Sequence, residues 1–328
     1  MKAVTFADFG TAEVLRLAEV PMPQARPGDL LVKVMAAGVN RADLLQRQGR
    51  YGKQHYGESE LLGLEVSGEV VEVGSEVTDI RPGERVMAIV GGGAYAEYAR
   101  VDRGMAVRIP DDLGYVEAAA VMESFVTAWE AVVHLGGAGK GMAVLIHAAA
   151  GGVGSAGVEI AHALGAHVFA TANAERRRDV LRLGAEAVFD YRSEDFERGT
   201  RDATGGRGVD VIVDFVGGDY LARNVRSLAP GGRLVQVGLL GGQDTAAIPL
   251  ALVLHNHLRL IGTVMKSRSS AEKRAMVRRF AEGALPLFAD GRLKPLVGKV
   301  FPLSEAADAH RCMEAGGGFG KIVLQVHP

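Results

Sequence analysis

The sequence predicts an α/β fold in which a β-rich lobe accompanies a parallel sheet covered on both faces by helices. Three observations predict it. Residues 1–120 carry short β-branched runs punctuated by Gly and Pro, as short strands and tight turns require. From about residue 125, continuous apolar runs alternate with helical stretches, the pattern of parallel strands buried on both faces. The length, 328 residues, suits about two domains of roughly 150 residues each.

Taken in order, Leu30–Met35, Glu69–Val73 and Arg85–Val90 read as strands of the β-rich lobe. Met142–His147 is an apolar strand, and Val153–Leu164 has helical character. His167–Thr171 is strand-like again and Glu175–Leu183 helical, with further strands at Val209–Phe215 and Arg233–Gly238. A helix is expected over Ala271–Ala289, then strand Val297–Phe301, helix Ser304–Ala315 with Ser304 as its N-cap, and strand Lys321–Val326.

Composition narrows the function classes. Net charge is −2, so the basic face that nucleic-acid binding needs is not expected. Cys312 is the only cysteine, which rules out an internal disulfide and a thiolate metal cluster. Gly141–Val158 is uncharged but holds five glycines, so it reads as strand, turn and helix rather than a membrane span. No signal-peptide pattern opens the sequence, because Lys2 leads into a strand-like run broken by Asp8; a cytoplasmic protein is expected.

The segment Val144-Leu-Ile-His-Ala-Ala-Ala-Gly-Gly-Val-Gly154 joins an apolar strand to a helix through Gly151, Gly152, Val153 and Gly154. Such a turn aims backbone N–H groups and the positive end of the helix dipole at a pyrophosphate, and a Cβ would hold the phosphates away. A dinucleotide site is expected here. The second strand ends in Ala172-Asn173, without the acid that would accept from a ribose 2′-OH, and Arg176, Arg177 and Arg178 follow. Guanidinium groups favour a 2′-phosphate, which points to NADPH. Two look-alikes are set aside. Gly136–Gly141 lacks the upstream Gly and the Ser or Thr of a phosphate loop. His255 and His257 would sit ~200° apart on a helix and do not converge on a metal.

Gly63-Leu64-Glu65-Val-Ser-Gly68, followed after five residues by Gly74-Ser-Glu-Val77, resembles the signature of zinc-type medium-chain alcohol dehydrogenases. Leu64 stands where that signature has its zinc-binding His. In Gly38-Val-Asn-Arg-Ala-Asp43, Asn40 stands where the similar segment carries its zinc-binding Cys. No metal is expected. With Gln48–Tyr51, Gly208–Asp214, Gly231–Gly238, Ile261–Arg268 and Gly320–Leu324 in order, the chain resembles the zinc-free quinone oxidoreductase branch of the medium-chain dehydrogenase/reductase superfamily. Within it, Lys266-Ser-Arg268 and the C-terminal Gly-Lys-Ile-Val-Leu resemble the zeta-crystallin-like, tumour-suppressor-induced subgroup.

The resemblance implies a GroES-like domain over 1–124 and 265–328, with a Rossmann domain over 125–264 between them. It implies an active cleft between the two domains, and a homodimer or homotetramer joined through a sheet edge at Leu258–Ile261. Coenzyme contacts map by the same resemblance onto Asn40, Thr127, the Gly152–Gly154 turn, Asn173, Arg176 or Arg177, Tyr191, Gly238, Leu239, Leu240, Val264, Met265, Lys266 and Lys321. Without zinc to polarise a carbonyl, an acceptor that spreads charge by conjugation is favoured: a quinone or another small electrophilic carbonyl. Tyr51 is the expected donor to the developing oxyanion, a bound water being the alternative, and Asn40 and Thr127 would orient ring and acceptor. The rival functions are a 2-alkenal or enoyl reductase on the same fold and a coenzyme-binding protein with little catalysis.

Overall fold

The structure, a computed structural model, describes residues 1–51, 59–316 and 318–327. Residues 52–58, part of the loop 44–62 whose sequence carries no readable code for the acceptor, therefore lie outside the described residues. The chain forms two compact units: Met1–Glu123 with Ser269–Leu285 and Lys294–Pro328, and Ser124–Arg268 with Pro286–Leu293.

In the first unit the long strand Asp29–Val39 is the spine of a seven-stranded sheet. Glu65–Val73 lies antiparallel on one side of it, followed by Arg85–Ile89 and Ala106–Arg108; Tyr98–Asp102 also pairs with it. Lys321–Gln325 lies on the other side, with Val297–Pro302 parallel beyond it. The core under this sheet includes Leu30, Val32, Val34, Val66, Val70, Val86, Ile322 and Leu324. Each such side chain contributes about 1.5–3 kcal/mol of burial. The register Ile322↔Val39 has a functional consequence, since it places Lys321 beside Asn40.

In the second unit six strands, all parallel, form one sheet. Across the sheet they run Ala187–Asp190, His167–Ala172, Ala143–Ile146, Val209–Asp214, Leu228–Gln236, Arg259–Gly262; numbered along the chain, the order is 3-2-1-4-5-6. The order reverses beside Ala143–Ile146, and open sheets of this kind bind ligands at the strand ends where it does. The glycine turn and helix Gly152–Ala163 follow that strand directly.

Two expected elements differ. The helix expected over Ala271–Ala289 is two, Ser270–Gly283 and Leu285–Ala289, because Pro286 has no N–H to continue the ladder. Ser269 and Glu272 cap its start reciprocally. Ser304 is not an N-cap: it lies inside the 3-10 turn Leu303–Glu305, and the α-helix begins only at Ala306. Pro286–Leu293, expected with the first domain, packs with the second unit, where the Phe288 ring meets Phe125 edge-on at 4.9 Å.

Candidate active site

The candidate coenzyme face is built on the strand Ala143–Ile146, every residue of which is buried. After it the chain turns sharply, with Ala148 at φ +49° and Gly151 N–H donating to Ala148 O at 3.1 Å. Gly151 occupies the N-cap position of Gly152–Ala163, and no side chain caps the helix. The first turn carries no acid, so its N–H groups suit an anion. The glycines divide the work. Gly154 is buried, and a Cβ on it would come within 2.3 Å of Ala148 O, so it lets helix and strand approach. Gly151 is exposed and Gly152 half-exposed, so these two present the open backbone. The turn is therefore a cradle that side chains would fill, which fits a pyrophosphate.

Beneath the turn lies a group that sequence reasoning missed. His147 is fully buried, with Nδ1 3.0 Å from Thr171 Oγ1 and Nε2 2.7 Å from Asn224 Oδ1. Asn224 Nδ2 donates to Asp214 Oδ2 at 3.0 Å, so its Oδ1 faces the histidine and accepts from Nε2–H. That leaves His147 Nδ1 to accept from the Thr171 hydroxyl. Burial pushes the imidazole pKa down, keeping it neutral. The chain of bonds ties the ends of three strands together below the turn. A histidine inside an apolar run was the available signal.

At the end of the second strand, Asn173 Oδ1 accepts from Arg176 N–H at 3.1 Å and caps the next turn. The arginines are not equivalent. Arg177 is paired with the Glu194 carboxylate, which also accepts from Asp190 N–H. Among the described residues, Arg176 reaches Asp179 alone, at 3.5 Å. Tyr191 is 44% exposed, and the Arg192 guanidinium, which the sequence reading overlooked, lies 5.5 Å from its ring centroid. Farther along, Gly238, Leu239, Val264 and Ser267 line a groove of about 350 Å³. Leu240 is 55% exposed beside it, and Met265 and Lys266 form the adjoining 3-10 turn. Thr127 is half-exposed on the helix Met122–Trp129.

The first unit holds a second constellation. Asn40 precedes the helix Arg41–Arg47, and its backbone N–H donates to Asp43 Oδ2 at 2.8 Å. Its side chain points inward. Nδ2 donates to Glu65 Oε1 at 2.9 Å and Oδ1 accepts from Lys321 Nζ at 2.6 Å. Lys321 also pairs directly with Glu65, and Glu65 Oε2 accepts from Glu123 N–H at 2.9 Å. Gly38 is required here, because a Cβ would lie 2.2 Å from Glu65 Oε1. Lys321 thus belongs to an interior lock around Asn40 and Glu65. Tyr95 Oη–H donates to Asp43 Oδ2 at 3.0 Å, His310 Nε2 lies 3.2 Å from that hydroxyl, and Arg47 Nη1 lies 3.4 Å from His310 Nδ1. Burial pushes Asp43 up to about 7 and His310 down to about 3. Leu64 is buried beside Glu65, so the two zinc-signature positions hold an alkyl group and a fully engaged amide. Tyr51 is half-buried at the border of the described residues. Among the described residues, no three or more His, Cys, Asp or Glu gather as a metal site, and no helix is long and apolar enough to cross a membrane.

Residues 26–111 match the alcohol dehydrogenase GroES-like domain, and residues 183–324 match a zinc-binding dehydrogenase domain. The chain is 31% identical to the human quinone oxidoreductase, over 99% of this chain and 97% of that protein. It belongs to the medium-chain dehydrogenase/reductase superfamily. The fold is accordingly a GroES-like unit and a Rossmann unit, and members of this superfamily are nicotinamide-dependent oxidoreductases. The chain is also 35% identical to a phenolphthiocerol/phthiocerol polyketide synthase of Mycobacterium tuberculosis, over 97% of this chain but 14% of that much longer protein. Among solved structures, the CurK enoyl reductase superposes with a TM-score of 0.89 at 26% identity, over 100% of this chain and 99% of that one. Quinone oxidoreductases and an enoyl reductase thus both stand among the relatives of this superfamily member.

Proposed function

We propose that the protein transfers hydride from NADPH to a conjugated carbonyl acceptor, a quinone foremost, without zinc. The observation that carries this reading is the Lys321–Glu65–Asn40 lock beside buried Leu64. Where the zinc signature puts a thiolate and an imidazole, this chain has neither, and an ammonium–carboxylate pair takes up the polar groups. An acceptor whose own conjugation spreads charge suits such a site better than an alcohol, which needs a Lewis acid.

Bound NADPH would supply the hydride. The Gly151–Gly154 turn would hold its pyrophosphate, Arg176 with Arg192 its 2′-phosphate, and the exposed Tyr191 ring its adenine. Asn173 would shape that corner through its cap, with Arg177 buttressing it through Glu194. Gly238, Leu239, Leu240 and Val264–Lys266 would border the groove that takes the nicotinamide half. Thr127 would orient the acceptor, and Tyr51 would donate a hydrogen bond to its oxygen. Asn40 and Lys321 would act from inside the lock rather than by direct contact. A homodimer through the sheet edge is part of this reading, with the edge narrowed to Arg259–Gly262 because Leu258 is buried in the core.

The likeness to an enoyl reductase and to a polyketide synthase favours one second reading, reduction of a 2-alkenal or enoyl group by the same coenzyme. NADPH oxidation measured with a simple quinone, a 2-alkenal and an enoyl thioester tests both. The quinone should give the highest kcat/KM, with NADH a poorer donor. A higher value for the enoyl thioester would select the second reading, and no turnover with any acceptor would end both.

A further inference from the structure

Two parts of the second unit, the glycine turn and the loop that lines the groove, are joined through a buried carboxylate. Asp214 ends the strand Val209–Asp214 and is fully buried. It accepts from Val216 N–H at 2.6 Å and from Gly217 N–H at 3.2 Å, which shapes the turn after the strand. That turn holds the loop beyond the next strand. Leu240 N–H donates to Phe215 O and Gly241 N–H to Val216 O, both at 2.9 Å. Gln236 Nε2 donates to Asp214 O at 3.2 Å and to Gly238 O at 2.7 Å. Gly238 and Leu239 of this loop line the groove.

From the same carboxylate a chain of bonds runs to the glycine turn, and each bond has one direction. Backbone N–H groups can only donate, so Asp214 is fixed as an acceptor, and its Oδ2 takes Asn224 Nδ2 at 3.0 Å. Asn224 then offers Oδ1 to His147 at 2.7 Å, and the ring carries its hydrogen on Nε2. Burial pushes the imidazole pKa down, so the ring holds one hydrogen and Nδ1 accepts. Its partner at 3.0 Å is the Thr171 hydroxyl, which donates to the ring and turns a lone pair to Ala148 N–H at 3.3 Å. Ala148 has φ +49°, a left-handed backbone that a residue with a Cβ keeps only where its surroundings hold it. Gly151 N–H closes the turn on Ala148 O. The rings of Phe196 and Tyr220 cover His147 edge-on at 4.8 and 4.9 Å.

We infer that Asp214, Asn224, His147 and Thr171 form a positioning relay that sets the glycine turn relative to the wall of the groove, with His147 as its middle link. This rests on the reading that one coenzyme lies along both, its pyrophosphate on the turn and its nicotinamide half in the groove. A ligand that spans two surfaces gains from both only while their spacing is right. The relay sets that spacing from the interior, without touching the coenzyme.

The direction of the bonds can be reversed without changing shape. In Asp214→Asn the side-chain oxygen must still face the backbone donors, so the new amide nitrogen faces Asn224. Asn224 then turns its oxygen to that nitrogen and its own nitrogen to His147, and the ring hydrogen moves to Nδ1. Nitrogen-15 spectra of histidine-labelled protein without coenzyme should show the Nε2–H form of His147 in the wild type and the Nδ1–H form in Asp214→Asn. The His147 signals are assigned by their loss from His147→Phe or their shift in Thr171→Val. The same form in both proteins would overturn the relay. Its role is read with two ligands, NADPH and 2′-phospho-ADP-ribose, which keeps the pyrophosphate and lacks the nicotinamide. In His147→Phe, calorimetric titration should show the advantage of NADPH over the fragment reduced about 10-fold, within the reach of a mutation along a coupling network. A merely structural role would weaken both ligands alike, so an unchanged ratio would overturn the assignment. If His147→Phe does not fold, Thr171→Val, which keeps the side-chain shape, decides by the same ratio. A wild type that binds neither ligand would overturn the coenzyme reading itself, whichever tautomers the spectra show.

Discussion

Arg176 and Arg177 are neighbours in sequence with different prospects as phosphate ligands. Arg177 is held by Glu194, whose carboxylate also accepts from Asp190 N–H, so moving this guanidinium breaks two interactions. Arg176 has one long contact to Asp179 and can turn to a new anion at little cost. Arg176→Ala should therefore weaken NADPH by about 10- to 150-fold, the worth of one charge-assisted hydrogen bond, and leave NADH unchanged. Arg177→Ala should lower thermal stability and affect the two coenzymes alike. Equal losses of NADPH and NADH in Arg176→Ala, measured by fluorescence titration, would remove Arg176 from the phosphate site. The basic run itself is plain in the sequence. Which arginine is available is not, because Glu194 is brought to Arg177 only when the third strand docks beside the second. His147 and Asn224 were missed for the same reason, since each takes its meaning from a partner tens of residues away.

The central part of the parallel sheet was readable, because Ala143–Ile146 is a continuous apolar run and the turns after it and after Val209–Asp214 carry glycines, whereas the turns after His167–Ala172 and Ala187–Asp190 carry none. Elements failed where a local rule met tertiary packing. Pro286 split a helix whose apolar spacing continues past it, and Ser304 lost its capping role to a 3-10 turn. The edge strand Arg259–Gly262 carries a further expectation. It pairs only with Leu228–Gln236 among the described strands, so one row of main-chain groups is unpaired. Leu260 on this strand is 38% exposed, and Leu250 and Leu254 on the preceding helix are 67% and 71% exposed. Apolar side chains around an open edge suit antiparallel pairing with a second copy. Leu260→Glu should shift the protein from dimer to monomer in size-exclusion chromatography with light scattering, while its far-ultraviolet circular dichroism is unchanged. A wild type that is already monomeric would refute this edge as an interface.

Across the full chain, the sequence motifs picked out the glycine turn and the altered zinc signature as candidate halves of the chemistry, but not how the altered signature is filled. The lock needs Gly38, Asn40, Glu65 and Lys321 together, and only the register of the C-terminal strand on Asp29–Val39 brings Lys321 there. This arrangement bears on metal dependence. Zinc sites use thiolate, imidazole or carboxylate donors, three or four at a time. At the signature positions Leu64 offers no donor, and Asn40 offers an amide whose oxygen and nitrogen are both engaged. The nearby carboxylates are already engaged, Glu65 by the Lys321 ammonium and Asp43 by the Asn40 N–H and the Tyr95 hydroxyl. A divalent cation there would sit against a buried ammonium and compete with it for carboxylates that are already engaged, which is electrostatically unfavourable. The purified, active protein should contain well under one zinc per chain by elemental analysis. Prolonged treatment with a strong chelator should leave NADPH-dependent turnover unchanged. Turnover lost to the chelator and restored by added zinc would show that some other set of donors holds a catalytic metal.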